Sequence, residues 1–209
     1  MTGSDRDDRA GQLDWFEDLY RDAGGDPDKV PWARLEAHPG LVHWAEQTRT
    51  HSGRAIDIGC GLGDNAEYLA GLGYAVTAFD LSETAVYWAG RRFPETSVDY
   101  CQADLFSLPA DWVGAFGLVS EVYTLQALPA ELRGDALQRI AGLVAPGGRI
   151  VVVCMAREED EAVDGPPWPL AKSELAGFAA AGLVEEQFSD LVLGENARRH
   201  FVATFRRPG

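Results

Sequence analysis

Arg54-Ala55-Ile56-Asp57-Ile58-Gly59-Cys60-Gly61-Leu62-Gly63 decides the fold of this chain. Past Arg54 its first half is apolar except for Asp57, and three glycines then follow at alternate positions. A short apolar run closed by glycine reads as a buried strand entering a tight turn. Residues 65–70 are helical in pattern and are expected to stop at Gly71 and Gly73. Strand, glycine turn and helix together open a βα unit. Glycine in such a turn permits φ values that a β-carbon forbids and lets the backbone pass close to a ligand.

Downstream the alternation repeats. Residues 74–79 read as a second strand closed by Asp80, and Ser82 is placed to cap a helix over 83–92 that Pro94 ends. Residues 97–101 and 115–120 read as the third and fourth strands, and a helix over 132–144 precedes Pro146-Gly147-Gly148. The fifth strand, 149–155, is so rich in β-branched residues that it belongs at the sheet centre. Past the acidic loop Glu158-Glu159-Asp160-Glu161, one helix is expected between Ser173 and Gly182. Strands near 184–188 and 200–205 then close the chain as an antiparallel pair. Strand and helix alternate through five units, which requires crossovers and a mostly parallel, doubly wound α/β sheet with helices on both faces.

Upstream, residues 1–11 are polar and expected to be mobile. Trp15, Phe16, Leu19 and Tyr20 share one helical face, broken by Gly24-Gly25-Asp26-Pro27. Pro31-Trp32 opens an irregular stretch, and His38-Pro39-Gly40 interrupts again before Leu41-Val42-His43-Trp44-Ala45. Residues 1–52 are thus a helical cap on a core of 53–209, and 209 residues suit one domain.

The formal charge of −15, from 33 acidic and 18 basic side chains, disfavours nucleic acid and anionic membranes as partners. Cys60, Cys101 and Cys154 are odd in number and lack paired spacing, so neither a disulfide framework nor a zinc site is expected. His38, His43, His51 and His200 show no ligand spacing, and no metal is expected. The start is charged rather than apolar, and no apolar run approaches about 18 residues. A cytoplasmic protein, monomeric or homodimeric, is expected.

In parallel sheets ligands bind beyond the carboxyl ends of the strands. Gly59, Gly61 and Gly63 fall there after the first strand, Asp80 after the second, Asp104 after the third and Glu121 after the fourth. Asp80 is placed to accept from paired ribose hydroxyls, and Asp104 from an exocyclic amine, with Leu105 or Phe106 on the ring. Asp57, costly to bury unless hydrogen-bonded, is expected to brace the turn through backbone N–H groups. Gly61-Leu62-Gly63-Asp64-Asn65-Ala66 also satisfies a dinucleotide fingerprint, with Asp80 near the expected offset of about 20 residues. That keeps a nicotinamide-dependent oxidoreductase in play. Asp64 at the helix start disfavours a pyrophosphate and suits a cationic sulfonium.

The stretch 55–63, with Asp80, Asp104-Leu105 and Pro146-Gly147-Gly148, resembles the motifs of class I S-adenosylmethionine-dependent methyltransferases. The resemblance implies a Rossmann-like seven-stranded sheet of order 3-2-1-4-5-7-6, its seventh strand antiparallel. It implies S-adenosylmethionine as cofactor, leaving as S-adenosylhomocysteine. Gly59, Gly61 and Gly63 would lie along the methionine part, Asp80 on the ribose and Asp104 by adenine. Trp32, Asp57, Cys60, Asn65, Leu81, Leu105 and Glu121 complete the implied contact set.

More narrowly, residues 15–44 and Gly165-Pro166-Pro167-Trp168-Pro169-Leu170 resemble the thiopurine and tellurite-resistance methyltransferase group. This implies a small-molecule acceptor with a thiol or other soft nucleophile; O- and N-methylation, and a non-catalytic cofactor-binding protein, stay open. A thiolate needs little base, whereas a phenol or amine wants one, and Glu121 and Tyr123 are the candidates. Trp15, Tyr20 and Trp32 are expected as an aromatic lid, Trp168 at the acceptor, and Arg34 or Arg21 at the cofactor's carboxylate.

Overall fold

The computed structural model describes Gly11, residues 13–194 and residues 196–209. The expectation for residues 1–11 lies outside the described residues except at Gly11. The deciding stretch forms β1 (Arg54–Ile58), with Ala55 to Ile58 all buried. It leads into α3 (Asp64–Leu72), after two cap helices, α1 (Trp15–Ala23) and α2 (Pro39–Gln47). Then follow β2 (Ala75–Asp80), α4 (Glu83–Arg92), β3 (Asp99–Gln102), β4 (Phe116–Val122) and α5 (Ala130–Leu143). The chain ends through β5 (Val144–Met155), α6 (Lys172–Leu175), α7 (Gly177–Ala180), β6 (Val184–Leu193) and β7 (Arg198–Arg206).

The seven strands lie in the order β3-β2-β1-β4-β5-β7-β6. The first five are parallel, while β7 runs antiparallel to both β5 and β6. Side chains alternate across the sheet, as period-two strands require. Ile150, Val152 and Cys154 face one core layer with Ile140 and Leu143 of α5. Val151 and Val153 face the other with Leu41 and Trp44 of α2 and Leu69 of α3. Both faces are therefore dry, which is why β5 reads as an unbroken apolar run. A third, smaller cluster of Tyr20, Ala23, Val30, Leu62 and Ala85 seats α1 over the glycine turn and α4. All three cysteines are free thiols. No helix among the described residues is long and apolar enough to cross a membrane.

Several boundaries differ from the sequence reading. The helix expected from Leu41 starts two residues earlier, within His38-Pro39-Gly40: Pro39 holds the first position, where its missing N–H costs nothing, and His38 Nδ1 accepts from Gly40 N. α3 runs through Gly71 and stops at Gly73, whose φ of 109° suits a left-handed cap. The single helix expected before Gly182 is two short ones, and Gly177 lies closer to Leu137 of α5 than a β-carbon would allow. Strand β6 runs five residues past its expected end and β7 extends beyond both of its own, and Leu193, Gly194 and Asn196 reach the cavity at the sheet's ligand end.

Candidate active site

The turn after β1 is shaped by left-handed backbone at Gly59 (φ 61°), Gly61 (φ 52°) and Gly63 (φ 90°). Two of these also answer to neighbouring protein. A β-carbon on Gly59 would stand 2.8 Å from Thr124 Oγ1, and one on Gly63 would collide with the Tyr100 hydroxyl. The turn is braced by Asp80, not by Asp57 as expected. Asp80 Oδ2 accepts from Gly61 N and Oδ1 from Ser82 N, each at 2.9 Å, linking the ends of β1 and β2. Burial raises the Asp80 pKa, and these N–H groups oppose the rise. Asp57 is enclosed in β1, and its Oδ2 has no hydrogen-bond partner among the described residues. Burial pushes its carboxyl up to about 7, with Ser120 pulling it down and Asp80 adding to the rise.

Glu121 is also corrected. It lies within β4, not beyond it, paired in register with Ile58 and Val152, and it is fully buried. A glutamate at a strand end reads as a loop residue, but here Oε1 accepts from Leu125 N at 2.9 Å. Burial pushes this carboxyl up to about 7, against the hydrogen bonds from Leu125 and Thr124.

Beyond the strand ends opens a cleft of about 600 Å³. Gly59, Cys60, Gly61, Asn65, Asp80 and Leu81 form one wall, continued by Asp104 and Leu105. Asp104 Oδ1 accepts from Phe106 N at 2.8 Å, capping the turn Leu105–Ser107. Asp57, Gly63 and Glu121 are not in the lining. The Asp64 carboxylate, treated above as uncompensated charge at a helix start, is gripped by both Arg92 nitrogens at 2.8 Å. The electrostatic preference against a diphosphate is correspondingly weaker.

The cap closes the cleft from above. Trp32 Nε1 donates to the Tyr20 hydroxyl at 2.7 Å, and both residues line the cavity. Trp15 stacks on Phe16 with ring centroids 3.9 Å apart and meets Trp32 edge-on, outside the lining. Glu17 latches α1 to the start of α4: its carboxylate accepts from Ser82 Oγ (2.7 Å), Thr84 N (3.2 Å) and Thr84 Oγ1 (2.5 Å). Partial burial works to raise the Glu17 pKa, but those bonds and Arg21 hold it below the usual value. Arg21 pairs on the outside with Asp18 at 3.1 Å, whereas Arg34 is in the lining.

The far end of the cleft gathers His38, Tyr123, Gln126, Met155, Arg198 and His200. Trp168 stays out of the lining; its backbone N–H donates to Gln126 O at 2.7 Å, while neighbouring Pro167 reaches the cavity. Of this group only Tyr123 was read from the sequence as a functional residue. His38 and His200 were weighed only as metal ligands, and their shared cavity arises from strands and loops distant in sequence.

A glycine turn, carboxylates near successive strand ends and this sheet order define a doubly wound fold of the methyltransferase type. The model of the thiopurine S-methyltransferase family matches residues 25–206. The 2-heptyl-1-hydroxyquinolin-4(1H)-one methyltransferase of Mycobacteroides abscessus is 30% identical over 78% of this chain and 73% of its own. The probable thiol methyltransferase 2 of Arabidopsis thaliana is 27% identical over 77% and 74%. Among solved structures, the Burkholderia thailandensis 1,6-didemethyltoxoflavin-N1-methyltransferase superposes with a TM-score of 0.73 at 20% identity, over 100% of this chain and 92% of that one. The chain belongs to the thiopurine S-methyltransferase family. It is an S-adenosylmethionine-dependent methyltransferase of small molecules.

Proposed function

We propose that the acceptor is a thiol or another soft, weakly acidic heteroatom on a small molecule, bound end to end with the cofactor in the same cleft. The observation that carries this is the cleft itself: one cavity of about 600 Å³ joins the Asp80–Asp104 wall to the histidine and tyrosine end. Its volume lies within the range of roughly 300–1,000 Å³ common for small-ligand sites.

The donor set suits an adenosyl group. Asp80 and Asp104 are carboxylates for ribose hydroxyls and an adenine amine, and Leu105 and Phe106 offer an apolar face to the ring. Gly59 and Gly61 bring bare backbone to the methionine part, with Cys60, Asn65, Leu81 and Trp32 filling the remaining wall. Bound S-adenosylmethionine supplies an electrophilic methyl on a cationic sulfonium, which an acidic rim tolerates. The chain's part is to orient the acceptor and exclude water. Glu121 serves the turn at Leu125 from inside the sheet, and Asp57 lies behind the glycine turn.

The names of two relatives, a thiol methyltransferase and a 1-hydroxyquinolinone methyltransferase, support an acidic S–H or O–H acceptor over an amine. Calorimetric titration with S-adenosylhomocysteine should show saturable binding. Asp80→Asn should weaken that binding about ten- to a hundredfold, the equivalent of roughly 1.5–3 kcal/mol for a charged hydrogen bond. Thiols and hydroxylated heteroaromatics should be methylated in preference to amines when product mass is followed. Folded protein that ignores S-adenosylhomocysteine, or that prefers amines, would refute the proposal.

A further inference from the structure

The acceptor end of the cleft contains a hydrogen-bonded chain whose directions the structure fixes. His200 Nδ1 lies 2.7 Å from the Arg198 carbonyl oxygen, which can only accept, so Nδ1 carries the proton. Nε2 of the neutral ring is then a bare acceptor, and the Tyr123 hydroxyl donates to it at 2.5 Å. The two rings lie nearly parallel, 6° apart. His38 has the opposite tautomer: its Nδ1 accepts from Gly40 N at 3.0 Å, so the proton sits on Nε2. His38 packs edge-on against both partners, with centroids 4.8 Å from Tyr123 and 5.3 Å from His200. Its backbone N–H is held by Asn65 Oδ1 at 2.8 Å.

Tyr123 occupies this place in a left-handed conformation, φ 71°, that non-glycine residues seldom adopt. Strain of this kind persists only where surrounding contacts over-determine it, and it clusters at functional sites. Here the Tyr123 backbone N–H is tied to Val153 O at 3.0 Å, and the next residue, Thr124, donates Oγ1 to Ile58 O at 2.9 Å. These ties hold the phenol against His200 near the start of β7.

We propose that Tyr123 and His200 form a proton relay that ionises the acceptor, and that His38 Nε2–H orients it. The acceptor class that this chemistry recognises carries a weakly acidic O–H or S–H beside a hydrogen-bond acceptor. This deepens the reading of the cleft as a methylation site and rests on it. The acceptor's X–H proton passes to Tyr123 Oη while the phenol's own proton passes to His200 Nε2. The X–H electron pair remains on X and forms the bond to the methyl carbon, and the C–S pair returns to sulfur. His200 ends as imidazolium, Tyr123 is neutral again, and the proton is later lost to water.

The surroundings suit this sequence. Arg34, paired with Glu36 at 3.3 Å, and Arg198 line the same cavity, and both oppose a protonated resting His200. The only polar contact of the Arg198 guanidinium with the described residues is Met155 Sδ, at 3.5 Å. Burial lowers the His200 pKa most; the hydrogen bond to the Arg198 carbonyl opposes the fall and the two arginines add to it, so the base rests unprotonated. Burial pushes the Tyr123 phenol up to about 12, against the two arginines and with Cys154 adding to the rise, so it keeps its proton until the acceptor's arrives. Burial, His200 and Arg34 together lower His38 to about 3, leaving it a neutral donor.

The test combines ring-nitrogen NMR on the whole protein with turnover of a graded acceptor panel: substituted thiophenols, phenols and N-hydroxy heteroaromatics. The spectra should show His200 as the Nδ1–H tautomer and His38 as the Nε2–H tautomer; the reverse assignment for His200 overturns the relay. Tyr123→Phe and His200→Gln should keep S-adenosylhomocysteine affinity within about twofold, since neither lies on the Asp80–Asp104 wall. Turnover of the least acidic acceptors should fall about a hundredfold or more, as expected for a lost general base, while pre-ionised thiophenols are methylated nearly as before. The limb that reports His200 should also vanish from the pH profile. An equal loss across the panel, no loss at all, or no acceptor turned over by wild-type protein that binds S-adenosylhomocysteine would each overturn the relay. Failure to bind S-adenosylhomocysteine would instead overturn the reading of the cleft.

Discussion

Gly63 carries two demands, and the second is invisible in the sequence. Its φ of 90° excludes most side chains, and a β-carbon would collide with Tyr100 Oη. That hydroxyl is committed to Glu67 Oε1 at 2.8 Å, so it cannot easily swing away. Gly63→Ala should therefore cost about 1–3 kcal/mol in urea denaturation, from overpacking and backbone strain. Because Gly63 does not line the cleft, any protein that remains folded should bind S-adenosylhomocysteine nearly as well. Unchanged stability would mean that the turn relaxes without hindrance. Asp80 is the contrasting residue, a brace for the turn and a wall of the cavity at once.

At the scale of elements, α1 is latched to the start of α4 by one carboxylate. Glu17 accepts from Ser82 Oγ and from both donors of Thr84, N–H and Oγ1, and Ser82 in turn caps α4 by accepting from Ala85 N at 2.9 Å. Glu17→Ala removes three hydrogen bonds and leaves the apolar contacts of Tyr20, Ala23 and Val30 as the chief hold on the cap. The expected outcome is faster tryptic cleavage at Arg21, Lys29 and Arg34, by several fold, with protection restored by S-adenosylhomocysteine. Identical digestion of the two proteins would show that aromatic packing alone secures α1. Tyr20 and Trp32 form the cavity side of this cap through their own hydrogen bond, and Trp15 supports them from behind.

For the molecule as a whole, the costliest groups are the buried carboxyls at the sheet centre. Asp57 and Glu121 sit on adjacent strands, where Asp57 pairs with Ser120. Burial carries them from ordinary values of 3.8 and 4.5 to about 7 in the fold. A carboxyl raised on folding stabilises the native state fully below its unfolded pKa, and that contribution is lost as pH climbs through the folded one. Stability should thus fall between roughly pH 4 and pH 7 on their account. His38 acts oppositely, its share being lost as pH drops from 6.5 towards about 3. Asp57→Asn isolates the first effect: relative to wild type it should gain about 1–3 kcal/mol between pH 5 and pH 8 in urea midpoints. Parallel curves for the two proteins would show that Asp57 is ionised throughout.

The sequence by itself determined the sheet and one wall of the cleft. Apolar runs closed by glycine or aspartate are local signals, and ligand-end residues of a βα unit lie within a few positions of their strand. Gly59, Gly61, Asp80, Asp104 and Leu105 were legible for that reason. Burial of charge was not legible, because it depends on partners: Glu121 looked like a loop residue and is a strand residue. Asp57 looked like a brace, and Asp80 does the bracing. Only tertiary structure decided the far end of the cleft, where His38, Tyr123 and His200 come from the cap, the residue after β4 and the start of β7. Seventy-seven positions separate Tyr123 from His200. They meet because β7 inserts antiparallel beside β5, bringing its first residues to the edge where the parallel strands end.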